Sequence, residues 1–309
     1  MKRVVVLGGT GFIGQNLCEQ LARAGIKATV PTRSPQAGKR LAHLPNVTVV
    51  PTDVHQPDTL TPLLAGHDAV VNLVAILHGS PAQFERTHVQ LVDTIAKACL
   101  AAKVQRVVHV SALGASADAP SEYQRSKAAG EAKLQQHPQL RTTVLRPSVV
   151  FGAQDAFLNL FAALVRLTPV LPLAGANTRF APVWVADVAS AIVQSLRTPQ
   201  SVGQVVDCVG PDVFKLRELV KLCARWQDKW VGVLGLPHAL GMAQATLLEF
   251  APGPTLMSRD NVRSMLVDNI ANPNASTWGL DNLGIQPTSL LAIGPTYIHP
   301  AHQPIQKPS

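Results

Sequence analysis

Very little of this chain is charged or aromatic. Asp, Glu, Lys and Arg make up 15% of its 309 residues, Phe, Trp and Tyr only 5%, and there are just two tyrosines. A tyrosine inside a motif therefore carries unusual weight. Hydrophobic residues reach 47%, which excludes intrinsic disorder for the bulk of a chain long enough to bury a large core. No apolar stretch approaches the roughly 18 residues that a membrane-spanning helix needs. The four cysteines (Cys18, Cys99, Cys208 and Cys223) lie far apart, with no CxxC and no paired histidine spacing. That excludes a disulfide framework and a metal site, and it reads as small buried hydrophobes in a reducing compartment. The net charge is +8, yet the basic residues never run five together. Tracking a nucleic-acid backbone requires clustered charge, so no nucleic-acid partner is expected, and part of the excess is read as serving a phosphorylated ligand. The apolar run after Met1-Lys2-Arg3 is too short for a signal peptide, so the expectation is a soluble, cytoplasmic protein.

What is present is a rhythm. Short β-branched runs at Val4–Leu7, Ala28–Pro31, Val47–Val50, Ala69–Leu73, Val107–Val110 and Thr142–Leu145 are nearly continuously apolar rather than alternating, as expected of parallel strands covered on both faces. Between them apolar residues recur at helical spacing, for example Ile13, Leu17 and Leu21, or Leu91, Ile95 and Ala98. Alternating strand and helix predicts an α/β fold, a doubly wound parallel sheet, over residues 1–150. Beyond it, helical stretches at Ala156–Val165, Val188–Leu196 and Lys215–Trp226 are broken by Pro/Gly-rich connections. Residues 151–298 therefore read as a smaller, mostly helical cap without further βαβ units, and the Pro-rich tail 299–309 as disordered.

Gly8-Gly9-Thr10-Gly11-Phe12-Ile13-Gly14 follows the first strand directly and opens the first helix. Glycines there allow the backbone to approach a pyrophosphate, and the helix amino terminus presents free N–H groups to it. A site for NAD usually places an acid about 20 residues further on, against the ribose 2′-hydroxyl. Here no Asp or Glu occurs between Glu19 and Asp53; the second strand ends Pro31-Thr32-Arg33-Ser34. A cation and hydroxyls in that place favour the 2′-phosphate of NADP(H), with NAD(H) the alternative. Asp53, beyond the third strand, is placed to meet an adenine amino group, or else is a turn residue.

One of the two tyrosines lies in Tyr123-Gln124-Arg125-Ser126-Lys127. Positions i and i+4 share a helix face, so Tyr123 and Lys127 can point into one cleft. An ammonium nearby would lower the phenol's pKa, letting it exchange a proton with a substrate hydroxyl or carbonyl. Lys127 is also suited to bond the nicotinamide ribose. Ser111 closes the fifth strand at the ligand-binding end of such sheets, where its hydroxyl would orient a carbonyl.

Together these residues resemble the short-chain dehydrogenase/reductase superfamily. Gly8, Gly11 and Gly14 match the glycine spacing of its extended, epimerase/dehydratase-like and atypical branches, and Ser111, Tyr123 and Lys127 match its catalytic triad. Arg146-Pro147-Ser148-Val149-Val150-Phe151-Gly152 resembles the strand-end motif whose backbone lines the nicotinamide pocket. The resemblance implies a Rossmann fold in which Gly8, Thr10, Gly11, Phe12, Ile13, Gly14, Arg33, Asp53, Val54, Val74, Ala75, Tyr123, Lys127, Pro147 and Val149 contact the cofactor. Asp155-Ala156-Phe157-Leu158-Asn159, Met257-Ser258-Arg259-Asp260-Asn261-Val262 and Gly279-Leu280…Leu283-Gly284-Ile285…Pro287-Thr288 narrow the likeness to bacterial relatives of the NADPH-binding accessory subunit of respiratory complex I. The interval from Ser111 to Tyr123 is shorter than in sugar-nucleotide epimerases and dehydratases, which counts against a nucleotide-sugar substrate.

Three functions follow as expectations: hydride transfer at a carbonyl or alcohol of an unidentified small molecule, a nucleotide-stabilised accessory or assembly role in complex I, and nucleotide-sugar epimerisation. The first is favoured. Asp187 is expected to cap the helix after it. His78 and His88, which flank the loop after the fourth strand, read as ordinary loop and helix residues, the alternative being that they edge the cleft. No metal is expected, the ten histidines being scattered. The nearly uncharged segment 230–250 reads as a buried cap helix. Its alternative is an apolar patch for a respiratory-complex partner or for peripheral membrane association, with Pro237 breaking any continuous helix.

Overall fold

The computed structural model describes residues 1–250 and 256–298; the tail expected to be disordered lies outside the described residues. The six strands read from the sequence all form: β1 (Arg3–Leu7), β2 (Lys27–Thr32), β3 (Val47–Pro51), β4 (Ala69–Asn72), β5 (Arg106–Val110) and β6 (Arg141–Pro147). They join in the order β3-β2-β1-β4-β5-β6, and a seventh strand, Val205–Cys208, pairs beyond β6. Every pairing in this sheet is parallel. The helices flanking it are α1 (Phe12–Arg23), α2 (Pro35–Lys39), α3 (Pro57–Leu64), α4 (Pro81–Phe84), α5 (Leu91–Ala101) and α6 (Glu122–Gln135). The fold is a Rossmann-type α/β sheet. Winding runs outward from β1 to β3, then resumes on the other side of β1 with β4. Ligands of such sheets bind above the carboxyl ends of the strands at that reversal.

The chain forms two compact units, and the first is not a single segment. It comprises Met1–Pro147, Val185–Cys208 and Asn272–Gln286, whereas the sequence closes it at residue 150 and finds no βαβ unit beyond. The helix Val185–Arg197 and the strand Val205–Cys208 supply that further unit. Its cause is polar and distant in sequence. Arg106 is buried at the start of β5, where its guanidinium donates to the Ser195 carbonyl at 2.6 Å, the Ser201 hydroxyl at 3.0 Å and the Thr143 hydroxyl at 2.7 Å. A buried cation must find such acceptors, and these acceptors fix the connection between helix and seventh strand. Gln20 of α1 also donates to the Ala186 carbonyl at 2.8 Å. Asp187 lies inside the first turn of this helix rather than capping it, where a carboxylate still favours the helix dipole.

The second unit comprises Ser148–Trp184, Val209–Ala271 and Pro287–Ser309. Its core gathers Phe151, Leu158, Phe161, Leu216, Leu219 and Ile298. Asp155 ties it together: the carboxylate accepts N–H groups from Gly152, Leu158 and Asn159 and the hydroxyl of Tyr297, the other tyrosine, at 2.8 Å. The segment expected to be a buried helix divides at Pro237 into a strand, Gly232–Leu236, paired with Val170–Ala174, and a helix, His238–Glu249. Of that helix only Gly241 and Ala245 are buried. Trp230 is 75% exposed, Leu247 76% and Phe250 82%. The correction has a simple reason: an uncharged composition does not supply the apolar neighbours a buried helix needs.

Candidate nucleotide-binding and catalytic site

Gly8 leaves β1 with φ +79°, a conformation costly for any residue with a Cβ. Its carbonyl accepts the Gly11 N–H at 3.0 Å, which closes the turn onto α1. A side chain at Gly14 would collide with the Gly8 carbonyl oxygen and the Gly9 backbone. Gly11 stands at the amino terminus of α1, and no acid occupies its first turn, so Phe12, Ile13 and their neighbours offer amides and a positive dipole end to an anion. Gln15 steadies the turn by donating to the Thr10 carbonyl at 2.8 Å. Backbone this close, with no room for side chains, fits a dinucleotide pyrophosphate.

At the carboxyl end of β2, Arg33 is exposed and among the described residues forms no salt bridge. His55 titrates below the ordinary histidine value, first because of burial and then because Arg33 and Arg86 both bear on it, against Asp53. Arg86 is a second cation at this corner that sequence reasoning missed. Asp53 is half-buried, its carboxylate accepting the His55 N–H at 3.1 Å, and Val54 is buried beside it. Past β4, Val74 donates its N–H to the Asn72 side chain at 3.1 Å, and Ala75 is exposed. A Cβ on Gly8 would lie 3.0 Å from the Leu73 carbonyl carbon and 3.1 Å from the Val74 nitrogen. The loop after β4 is therefore packed against the glycine loop.

Ser121 caps α6, accepting the Gln124 N–H, and α6 carries Tyr123 and Lys127. Lys127 is 1% exposed and donates to the Val110 carbonyl at 2.8 Å. That contact brings its ammonium to the carboxyl end of β5, next to Ser111. The Ser111 hydroxyl is buried with no hydrogen-bond partner among the described residues. An unpartnered buried hydroxyl is costly, and one at this position asks for a ligand group. Pro147 closes β6 and its carbonyl accepts the Leu113 N–H at 2.9 Å. Val149 falls in the second unit, where its N–H reaches the Asn269 side chain at 3.2 Å.

One electrostatic expectation is reversed. Burial pushes the Tyr123 phenol up to about 12 rather than the ammonium pulling it down. Burial also lowers Lys127 to about 8, against the pull of Glu131. Desolvation disfavours the charged form of each group, raising the phenol and lowering the ammonium. Sequence reasoning also missed the Asn72–His109 pair behind these residues and weighed His88 only as a helix residue or an edge of the cleft. Asn72 and His109 meet at 3.1 Å in the sheet interior, and His88 is buried against Tyr123, their ring centroids 5.5 Å apart.

Residues 4–208 match the model of the NAD dependent epimerase/dehydratase family. The chain is 32% identical over 290 residues to the Arabidopsis thaliana NADH dehydrogenase (ubiquinone) 1 alpha subcomplex subunit 9, covering 87% of this chain and 71% of that protein. It is 30% identical over 198 residues to a ceramide reductase of Caulobacter vibrioides, covering 63% and 61%. Among solved structures, the dTDP-glucose 4,6-dehydratase DesIV of Streptomyces venezuelae, with NAD bound, superimposes with TM-score 0.74 at 21% identity, covering 96% of this chain and 95% of that one. Matched across its sheet, glycine loop and Tyr–Lys helix, the chain belongs to the NAD dependent epimerase/dehydratase family.

Proposed function

We propose that the protein is an NADP(H)-dependent oxidoreductase that reduces a carbonyl to an alcohol, with Tyr123 as the proton donor. The observation that carries this reading is the buried Lys127 ammonium, held on the Val110 carbonyl next to the unpartnered hydroxyl of Ser111, with Tyr123 one turn before it on the same helix. Ser111 donates to the substrate carbonyl oxygen and orients it. Tyr123 gives its proton to that oxygen as negative charge develops there, and Lys127 stabilises the phenolate left behind. A nucleotide held by the glycine loop would supply the hydride that the carbonyl carbon accepts. A phenol held above its ordinary pKa suits this direction, because the acid form is present at every working pH. The short interval from Ser111 to Tyr123 supports a substrate smaller than a nucleotide sugar. The relative named as a ceramide reductase supports carbonyl chemistry. Arg33, with the acid-free stretch before Asp53, supports NADP(H) over NAD(H).

The deciding experiment is binding of NADPH, NADP⁺, NADH and NAD⁺ to the wild type and to Arg33→Ala, followed by NADPH oxidation with a panel of carbonyls. Preference for the phosphorylated pair, reduced about tenfold or more in Arg33→Ala, is the expected result, since a charge-assisted bond contributes about 1.5–3 kcal/mol. Equal affinity for the four nucleotides would overturn the NADP(H) assignment. A second reading is favoured by a different observation, the exposed apolar side chains of Trp230, Leu247 and Phe250. On that reading the protein is an accessory component of a respiratory complex, as the name of the Arabidopsis relative suggests, and the nucleotide stabilises its fold by mass action.

A further inference from the structure

His88 occupies a single turn of π-helix, Glu85–Gln90, between α4 and α5. Such turns are rare and often mark functional positions. The widened turn has a counterpart on α6: a side chain at Gly130 would run into the His88 carbonyl oxygen, so the two backbones meet directly. Both ring nitrogens of His88 are engaged. Nε2 accepts the Ile76 N–H at 3.1 Å. An accepting Nε2 leaves the hydrogen on Nδ1, which donates to the Ser126 hydroxyl at 2.8 Å. That hydroxyl in turn donates to the Tyr123 carbonyl at 2.8 Å. The ring stacks on Phe84 and meets Tyr123 edge-on, each at 5.5 Å between centroids.

From these contacts we infer that His88 is a positioning residue, a neutral clasp that holds the loop after β4 in register with the helix bearing Tyr123 and Lys127. The inference rests on the nucleotide-site reading. The loop Leu73–Ile76 forms one wall of the crevice at the β1–β4 reversal, since it packs on Gly8. From the other side α6 brings Lys127 to the carboxyl end of β5. A hydrophobic residue would fill the space between Phe84 and Tyr123 equally well, yet could make neither directional bond. A second proton on the ring would point at the Ile76 N–H and lie near the Lys127 ammonium. Burial, then that ammonium, lowers His88 to about 3, so the single tautomer persists across the working pH range.

The test compares two ligands on the full-length protein: NADPH, which spans the crevice, and adenosine 2′,5′-bisphosphate, which fills only the adenosine side. Loss of the clasp in His88→Leu is expected to weaken NADPH by about tenfold, the scale of a lost buried hydrogen bond, with the bisphosphate unchanged within about twofold. His88→Gln, whose amide both accepts and donates, is expected to recover most of the loss. Equal weakening of both ligands, wild-type binding by His88→Leu, or a His88→Gln as impaired as His88→Leu would each overturn the proposal. If His88→Leu fails to fold, Ser126→Ala decides, because it keeps the Ile76 bond and cuts the link to α6. A selective loss for NADPH supports the clasp, and unchanged binding overturns it. A wild type that binds neither ligand removes the nucleotide reading, and the clasp falls with it; any binding with the wrong ratio removes the clasp alone.

Discussion

The Lys127 ammonium has its desolvation offset, among the described residues, by the Val110 carbonyl and the Glu131 carboxylate, and its burial has a consequence for stability independent of any substrate. Folded, it titrates at about 8 instead of 10.5. Between those values the unfolded chain still binds a proton that the folded chain has released, so stability rises with pH through that window. The effect is on the order of 3 kcal/mol across the whole window. Denaturant unfolding of the wild type against Lys127→Met should show the wild type gaining on the variant between about pH 8 and 10.5; a constant gap would contradict the buried ammonium. The same value shapes catalysis. On the proposed reductase reading, the reaction would need the Tyr123 proton, retained up to about 12, and the Lys127 charge. The reductase rate should therefore hold steady up to about pH 8 and fall above it. Tyr123→Phe should lower kcat by about 10²–10⁴-fold, the usual range for a lost general acid, with NADPH affinity preserved in a binding titration.

The elements differ in how far they could be read before the fold was known, and glycine shows why. Gly14 sits in a motif whose strand, turn and helix all announce themselves locally, so its intolerance of a Cβ is legible from sequence. Gly130 has the same intolerance for a reason no local pattern carries, namely a π-helical turn some forty positions earlier in the chain. Gly130→Ala must push α6 off the His88 carbonyl, and thermal unfolding should register about 1–3 kcal/mol of destabilisation, typical of overpacking; an unaltered melting curve would mean that α6 yields freely. Six strands of the sheet were legible because each is a short, β-branched run, five of them largely buried and β3 half-buried at the sheet edge. The seventh is short, Val205–Cys208, and its place depends on Arg106, whose partners lie beyond any sequence window. Tyr123, Lys127 and Ser111 were legible as residues, while the pKa of the tyrosine was not. Spacing announces that an ammonium is near, but the carbonyl to which it is turned is a product of the fold.

For the molecule as a whole, the question is whether the nucleotide turns over or only braces the chain, and the two readings part at the helix His238–Glu249. A reductase that acts alone has no use for Leu240, Leu247 and Phe250 at 57%, 76% and 82% exposure along one nearly uncharged stretch. Single exposed apolar residues are ordinary, whereas several on one element mark a contact surface. Because they touch little, replacing Leu247 and Phe250 together with Glu should leave unfolding free energy within about 0.5 kcal/mol per site and leave NADPH binding unchanged. On the accessory reading, the same double variant should lose co-migration with NADH dehydrogenase activity in native gels of detergent-solubilised membranes, while the wild type retains it. A wild type that migrates alone would remove the accessory reading. Co-migration that survives the double variant would keep the accessory reading and move its contact to another face. If the wild type both co-migrates and reduces a carbonyl, the two readings describe one protein, an enzyme seated on a partner through the helix that its own core leaves uncovered.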